Sequence, residues 1–223
     1  MQTGLDVGID VASKAVVVAC AAGSFAPCTV RNERGALRKW LGGLPSGSRV
    51  GMEATGSYHQ LVADLAHAAG HGVYVLNARD VKKYAEGVGR RGKTDRVDAQ
   101  IIARFIAREH DRLHVYAPLG TAQRHLEQLL KRRGKLVAAR VALEVGWSGV
   151  AGIKAELAVL LKAHARLLRQ VDTVSAQAVA AVPEVKARAE RVRTIAGFGE
   201  VGSVTLAQAL SHLPFTSADA FIA

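Results

Sequence analysis

Residues 87–100 read GVGRRGKTDRVDAQ, and they support two incompatible folds. The first eight match a phosphate-binding loop, G-x-x-x-x-G-K-[ST]. The last seven carry two aspartates three residues apart, Asp95 and Asp98. In the first reading Thr94 would hold a nucleotide's magnesium ion. In the second it caps a helix whose first turn presents carboxylates. A phosphate loop needs a buried strand to deliver its glycines and a helix N-terminus to receive the phosphate. The residues before Gly87, RDVKKYAE, are polar and helical in pattern. No apolar run ending in Asp follows to face such a loop. GVGRRG and GFGEVG, two G-x-G-x-x-G strings, fail for the same reason, since neither follows a strand. Residues 87–93 read more simply as a basic loop. Its glycines let Arg90, Arg91 and Lys93 approach a phosphate backbone, with Arg96 one turn on.

Upstream of that loop the chain is rich in strands. GLDVGIDV (4–11) and AVVVACAA (15–22) are two strands joined by a short polar turn, and a weaker third lies near Thr29 and Val30. ERGALRKWLGGL has helical spacing. SRVGME is a strand ending at Glu53. SYHQLVADLAHAAG is an amphipathic helix from Ser57 to Gly70, GVYVLN a strand, ARDVKKYAE a short helix, and Thr94 to about Glu109 another helix. Three early strands followed by alternating helix and strand predict a mixed sheet with helices on both faces, as in a ribonuclease H-like α/β domain.

Downstream of Pro118 the character changes. Residues 121–145 and 153–181 carry no strand signal, and Leu, Val and Ala recur at three- and four-residue spacing. With GWSGVAG between them, they predict a long coiled-coil-like helical hairpin. The expected domains are 1–118, 119–183 and 184–223. The last is two short helices about a Gly-rich hairpin containing Gly197 and Gly199, then the start of a helix, PFTSADAFIA. That apolar helix stops before it can bury its face, so the chain is expected to be a fragment of a longer protein.

The chain has 223 residues, 49% of them hydrophobic, which is enough for a folded core. Its formal net charge is +11, and an excess that large favours a polyanionic partner, most commonly nucleic acid. The basic run Lys131, Arg132, Arg133 and Lys135 adds to this, although a solvated helix face accounts for it equally well. Cys20 and Cys28 form no C-x-x-C pair, which argues against structural zinc. There is no signal-peptide pattern and no apolar run of membrane-spanning length, so a cytoplasmic protein is expected.

Asp95 and Asp98, taken alone, read as ordinary dipole partners in a first helical turn. Two further acids change the balance. Asp10 follows apolar residues in VGIDVASK, and Glu53 ends a strand in RVGMEATG. An acid inside an apolar strand is costly unless it is paired or binds a cation. Four carboxylates at strand ends and on one helix face make an oxygen-only donor set, suited to Mg²⁺ or Mn²⁺. Two such ions clamp the attacking and leaving oxygens of a phosphodiester.

GIDVASK, MEATGSYH and GKTDRVDAQIIA, in that order, resemble the three signatures of the DEDD transposases of the IS-one-ten type, relatives of the Piv DNA invertases. The resemblance covers nearly the whole chain. It implies a RuvC-like first domain, a catalytic and metal-binding tetrad of Asp10, Glu53, Asp95 and Asp98, and DNA recombination directed by a structured guide RNA. It also implies a coiled coil that pairs subunits. IAGFGEVGSVTLAQAL resembles the helix-hairpin-helix that opens the family's second domain. Asp6 falls outside the motif and reads as a neighbour. The family's catalytic serine would lie past Ala223. Ser203, Ser211 and Ser217 precede that motif and are not assigned its role, and Ser217 reads instead as a helix cap.

Three functions remain open at this level: a recombinase subunit, a RuvC-like nuclease or junction resolvase working by hydrolysis, and a non-catalytic nucleic-acid-binding module. An actin-like ATPase, faintly suggested by LDVGIDVAS, ranks below these because no second phosphate segment follows.

Overall fold

The computed structural model describes residues 4–54, 56–89 and 94–212. The chain divides into two compact units, Met1–Pro118 and Leu119–Ala223. The first unit opens with β1 (Asp6–Val11), β2 (Ala15–Cys20) and β3 (Cys28–Arg31). Then come α1 (Arg34–Gly42), β4 (Arg49–Glu53), α2 (His59–Ala68), β5 (Gly72–Leu76), α3 (Ala78–Gly87) and α4 (Asp95–Glu109). The sheet order is β3-β2-β1-β4-β5. β1 pairs antiparallel with β2 and β2 with β3, while β1, β4 and β5 run parallel. This is the mixed sheet expected of a RuvC-like α/β domain, with helices following it.

Strand alternation divides the core into two layers. Val7, Ile9 and Val11 pack with Leu37, Leu41, Val62 and Ala63 beneath α1 and α2. On the opposite face Tyr74 and Leu76 pack with Val81, Ile101, Ile102 and Ile106 of α3 and α4. The even residues of β1, namely Asp6, Gly8 and Asp10, therefore share the α4 face. Gly8 is what lets the helix come so close. A Cβ there would fall inside the contact shells of the Ala99 carbonyl oxygen and the Ala103 amide nitrogen. Gly51, paired with Gly8 on β4, lies under the same helix. A Cβ there would sit 2.6 Å from Cγ2 of Ile106 and 3.2 Å from Cγ2 of Ile102.

Thr94 caps α4 from an extended backbone, φ −145° and ψ 149°, and its hydroxyl accepts a bond from the Val97 amide at 3.3 Å. The expected start of the second helix differs. α2 begins at His59, not Ser57, and its N-cap Tyr58 makes no side-chain cap bond. Tyr58 already has helical angles, φ −68° and ψ −29°, so the turn through Ser57 runs directly into the helix. Side-chain capping needs the extended backbone that Thr94 has.

The second unit contains α5 (Thr121–Gly146) and α6 (Lys154–Ala180), joined through residues 147–153, then α7 (Pro183–Arg193) and α8 (Glu200–His212). Its core joins Leu126 of α5 to Val185 and Ala189 of α7 and to Val204 and Ala207 of α8, with Val179 of α6 against them. Pro183 opens α7, where its missing N–H costs nothing. The helix expected over 214–223, with Ser217 as its cap, lies outside the described residues. Among the described residues no helix is long and apolar enough to cross a membrane.

The two glycines yield a graded prediction. Gly8→Ala meets backbone, which cannot yield without separating α4 from β1. It is expected to cost more than about 3 kcal/mol, at or beyond the upper end of overpacking effects. Gly51→Ala meets isoleucine methyls that can change rotamer, and is expected to cost about 1–3 kcal/mol. Denaturant unfolding of both variants tests the order. Equal midpoints would contradict the helix–strand contact.

Candidate metal centre and nucleic-acid interface

The direction of α4 over β1 decides where the acids lie. At one end Asp6 receives two hydrogen bonds from the Arg49 guanidinium, 2.5 Å from Nε and 3.0 Å from Nη2. Nη1 of the same arginine contacts Nε2 of His110, just past the C-terminal end of α4. In the middle Gly8 touches Ala99 and Ala103. The helix therefore runs antiparallel to β1, and going from Gly8 to Asp10 along the strand means going back along the helix toward its N-terminus.

The distances agree. Two strand residues advance about 6.6 Å. Four helix residues, from Ala99 back to Asp95, retreat about 6 Å. Asp95 precedes Ala99 by one turn and Asp98 precedes Ile102 by one turn, so both stand one turn N-terminal to the contacts that α4 makes over Gly8 and Gly51. On β4, Glu53 stands two residues beyond Gly51, as Asp10 stands two beyond Gly8. The parallel register pairs Ile9 with Met52, and Asp10 and Glu53 each follow that pair by one residue. The Ala54 amide donates to the Leu76 carbonyl at 2.9 Å and fixes the end of β4 to β5. Two strand ends and one helix start thus meet at a single edge of the domain.

Within that edge the acids differ. Asp10, Glu53 and Asp98 are partly buried and Asp95 is exposed. Asp10 and Asp98 each retain an interaction partner. Among the described residues no three His, Cys, Asp or Glu side chains are gathered tightly enough to hold a metal ion. The chemistry of the donors fits a hard divalent cation, since all four are carboxylates. Like charges repel, and drawing such groups together is what a cation does.

Asp6, on the same strand face, is engaged elsewhere. Its hydrogen bond is the main cause that raises the Arg49 pKa above the ordinary arginine value, against an opposing effect of burial. Asp6, which falls outside the acidic motif, thus serves an ion pair with Arg49. The brace formed by Arg49 and His110 was not legible in the sequence, because neither residue belongs to a motif. Asn32 was also missed. It follows β3, and its side chain donates to backbone carbonyls on both sides of the acidic edge, Ala12 and Tyr58.

The basic residues separate as well. Arg90, Arg91 and Lys93 lie outside the described residues. Arg96 is exposed on the first turn of α4. In the run 131–135, Lys131 pairs with Glu127 one turn back, 2.9 Å away, and Arg133 reaches across to Asp172 of α6 at 2.6 Å. Arg132 and Lys135 are exposed. Gly197 and Gly199 lie between α7 and α8, and Gly197 has φ +94°, a conformation that favours glycine. Two of the serines have structural bonds. Ser203 is fully buried and donates to the Gly199 carbonyl at 2.9 Å, and Ser211 donates to the Gln208 carbonyl at 2.7 Å.

Two outcomes are expected. Asp6→Ala strips Arg49 of its anion and is expected to destabilise the protein by about 1–3 kcal/mol. Asp10→Asn, which keeps the size of the side chain and its capacity to hydrogen-bond, is expected to lower the denaturation midpoint less. The reverse order would reject the division of roles. If the chain binds DNA through the α5 run, Arg132→Ala and Lys135→Ala should each lower the salt slope of binding by about 0.9. Arg133→Ala should lower it less, since Asp172 already neutralises that charge.

Residues 7–146 match the family model of the IS110 DEDD transposases, the IS-one-ten type. Two curated relatives are the pilin gene-inverting proteins of Moraxella lacunata and Moraxella bovis. Each is 27% identical over 158 residues, covering 67% of this chain and 46% of the relative. The chain thus spans about half the length of the curated relatives it matches. The family match covers well over half of the chain and contains all three acidic motifs together with the strand and helix ends that carry them. This chain belongs to the IS110-type DEDD transposase family.

Proposed function

We propose that this chain is the acidic, metal-binding part of a DNA recombinase subunit. The observation that carries the reading is the parallel β1–β4 register, in which Ile9 pairs with Met52 one step before Asp10 and Glu53, with α4 packed over Gly8 and Gly51. Those four residues would hold Mg²⁺ or Mn²⁺. When bound, the cation supplies Lewis-acid stabilisation of charge on a scissile phosphate. The chain's own residues orient that phosphate at the sheet edge, and the basic segment 90–96 meets the flanking backbone. Strand cleavage and exchange proceed with a serine outside residues 1–223 as nucleophile. The names of the relatives, which describe inversion of a pilin gene, support DNA rearrangement as the reaction class.

Three further parts of the reading rest on family resemblance and on surface chemistry. A structured guide RNA selects the DNA, consistent with the net charge of +11. The α5–α6 hairpin pairs subunits as a coiled coil. Its exposed apolar side chains support this, with Val145 71% and Val159 70% exposed. The α7–α8 hairpin offers backbone amides near Gly197 and Gly199 to phosphates. The protein works in the cytoplasm.

A second reading, a nucleic-acid-binding module without catalysis, draws on one observation: among the described residues the carboxylates are not already gathered as a cation cage. The two separate cleanly. In the protein that carries these residues, Asp98→Asn is expected to lower the recombination rate at least about 100-fold while DNA binding persists. Undiminished recombination would reject the metal site. Calorimetry with Mn²⁺ that shows no uptake would favour the binding module. Robust Mg²⁺-dependent cleavage of branched DNA by this chain alone would favour a hydrolytic resolvase instead.

A further inference from the structure

Two of the three acidic motifs are loops at their functional ends. Asp10 is followed by the turn Ala12–Lys14 between β1 and β2. Glu53 is followed by the segment that runs through Gly56 to Tyr58 and into α2. β4 itself is anchored, through Ala54 to Leu76. What lies beyond Gly56 has no strand to hold it.

Asn32 bridges these two segments from outside both motifs. Its backbone amide donates to the Lys14 carbonyl at 3.0 Å. Its side-chain Nδ2 donates to the Ala12 carbonyl at 2.9 Å and to the Tyr58 carbonyl at 3.4 Å. One amide nitrogen thus ties the residue two past Asp10 to the residue five past Glu53. Oδ1 of the same side chain is buried with no hydrogen-bond partner. A buried acceptor left unpaired costs stability, because its lost bond to water is not replaced. An asparagine held this way therefore gives up stability to place its Nδ2 group, whereas an apolar residue of similar size would avoid that cost.

The Tyr58 carbonyl stands at the start of α2, where an N-cap carbonyl also accepts the first intrahelical bond. Tyr58 is the N-cap of α2 and makes no capping bond with its side chain. The start of α2 thus has the bond from Asn32 and no side-chain cap of its own.

We infer that Asn32 is a positioning residue for the acidic edge. It clamps the β1–β2 turn against the start of α2, so that Asp10 and Glu53 are held at one separation as they take up the divalent cation. The inference rests on the reading of Asp10 and Glu53 as metal ligands. Groups that orient ligands in this indirect way are worth about 10- to 100-fold in metal affinity or activity.

Asn32→Leu keeps the size and removes the donor, and Asn32→Gln keeps an amide. In the protein that carries these residues, three quantities are compared: recombination rate against Mg²⁺ concentration, Mn²⁺ uptake by calorimetry, and amide hydrogen exchange in metal-free protein. Asn32→Leu is expected to raise the half-saturating Mg²⁺ and weaken Mn²⁺ uptake by about 10-fold or more. It should also speed exchange at residues 12–14 and 56–60 while leaving β5 unchanged. Asn32→Gln should recover most of both losses. Unchanged metal dependence in a folded Asn32→Leu protein overturns the inference. So does a loss explained wholly by a lower unfolding midpoint, with metal dependence intact. Asp10→Asn is the separate control. If it recombines normally, the ligand assignment has failed. If it is inactive while Asn32→Leu matches the parent, only the role of Asn32 has failed.

Discussion

The close contact between β1 and α4 at Gly8 governs the first domain. A helix that touches a strand backbone to backbone has little freedom to slide or tilt, because every other residue at that point would push it away. The consequence is positional. Ala99 and Ala103 sit over Gly8, and Ile102 and Ile106 sit over Gly51. The first turn of α4 must then project past the ends of two neighbouring parallel strands. Small residues on the strands and an Ala-Ile stripe on the helix are the packing solution that brings the edge together.

Electrostatics sorts the acids on that face. Asp6 and Asp10 share one side of one strand, four residues apart, yet their partners differ. Asp6 meets Arg49, directly opposite in the β1–β4 register, and the pair is closed by His110 beyond α4. Asp10, at the far end, lies two residues beyond Gly8, toward the N-terminal end of α4, where the positive end of the helix dipole favours anions. Two carboxylates of α4 already occupy that turn. The fixed partial positive charge of the helix start offsets part of their repulsion. One face of one strand thus carries a structural ion pair at its start and a ligand candidate at its end.

The second unit follows a different logic. Its core is local, where the first turns of α5 meet the end of α6 and the α7–α8 pair. Along the remainder of the hairpin, Val137, Val141, Val145, Val159, Leu160 and Leu167 stay exposed. A helical pair with that much apolar surface gains little from its own packing, and burial against another surface stabilises it further. The charges there are partly spent internally, since Arg133 is held by Asp172 and Lys131 by Glu127. The net positive charge of the chain therefore overstates what is free to meet a polyanion on α5.

Much of the domain was legible without coordinates. Alternation in DVGIDV and AVVVAC, the Thr94 cap, and the three- and four-residue spacing of α5 and α6 are local patterns, and local patterns determine local structure. The acids were legible too, because a carboxylate at the end of an apolar strand is conspicuous. Three things depended on the tertiary structure. The start of α2 moved from Ser57 to His59 because the preceding turn already had helical angles. The roles of Asp6 and Asp10 separated because a partner on another strand, Arg49, reached only one of them. The link from Asn32 to both Ala12 and Tyr58 joins residues 20 and 26 positions apart, and no periodicity reports such a pair. By itself the sequence determined which residues form strands and helices and which of them carry charge. Only the tertiary structure decided which charges meet, because that depends on strand register and on how closely a helix can approach a glycine.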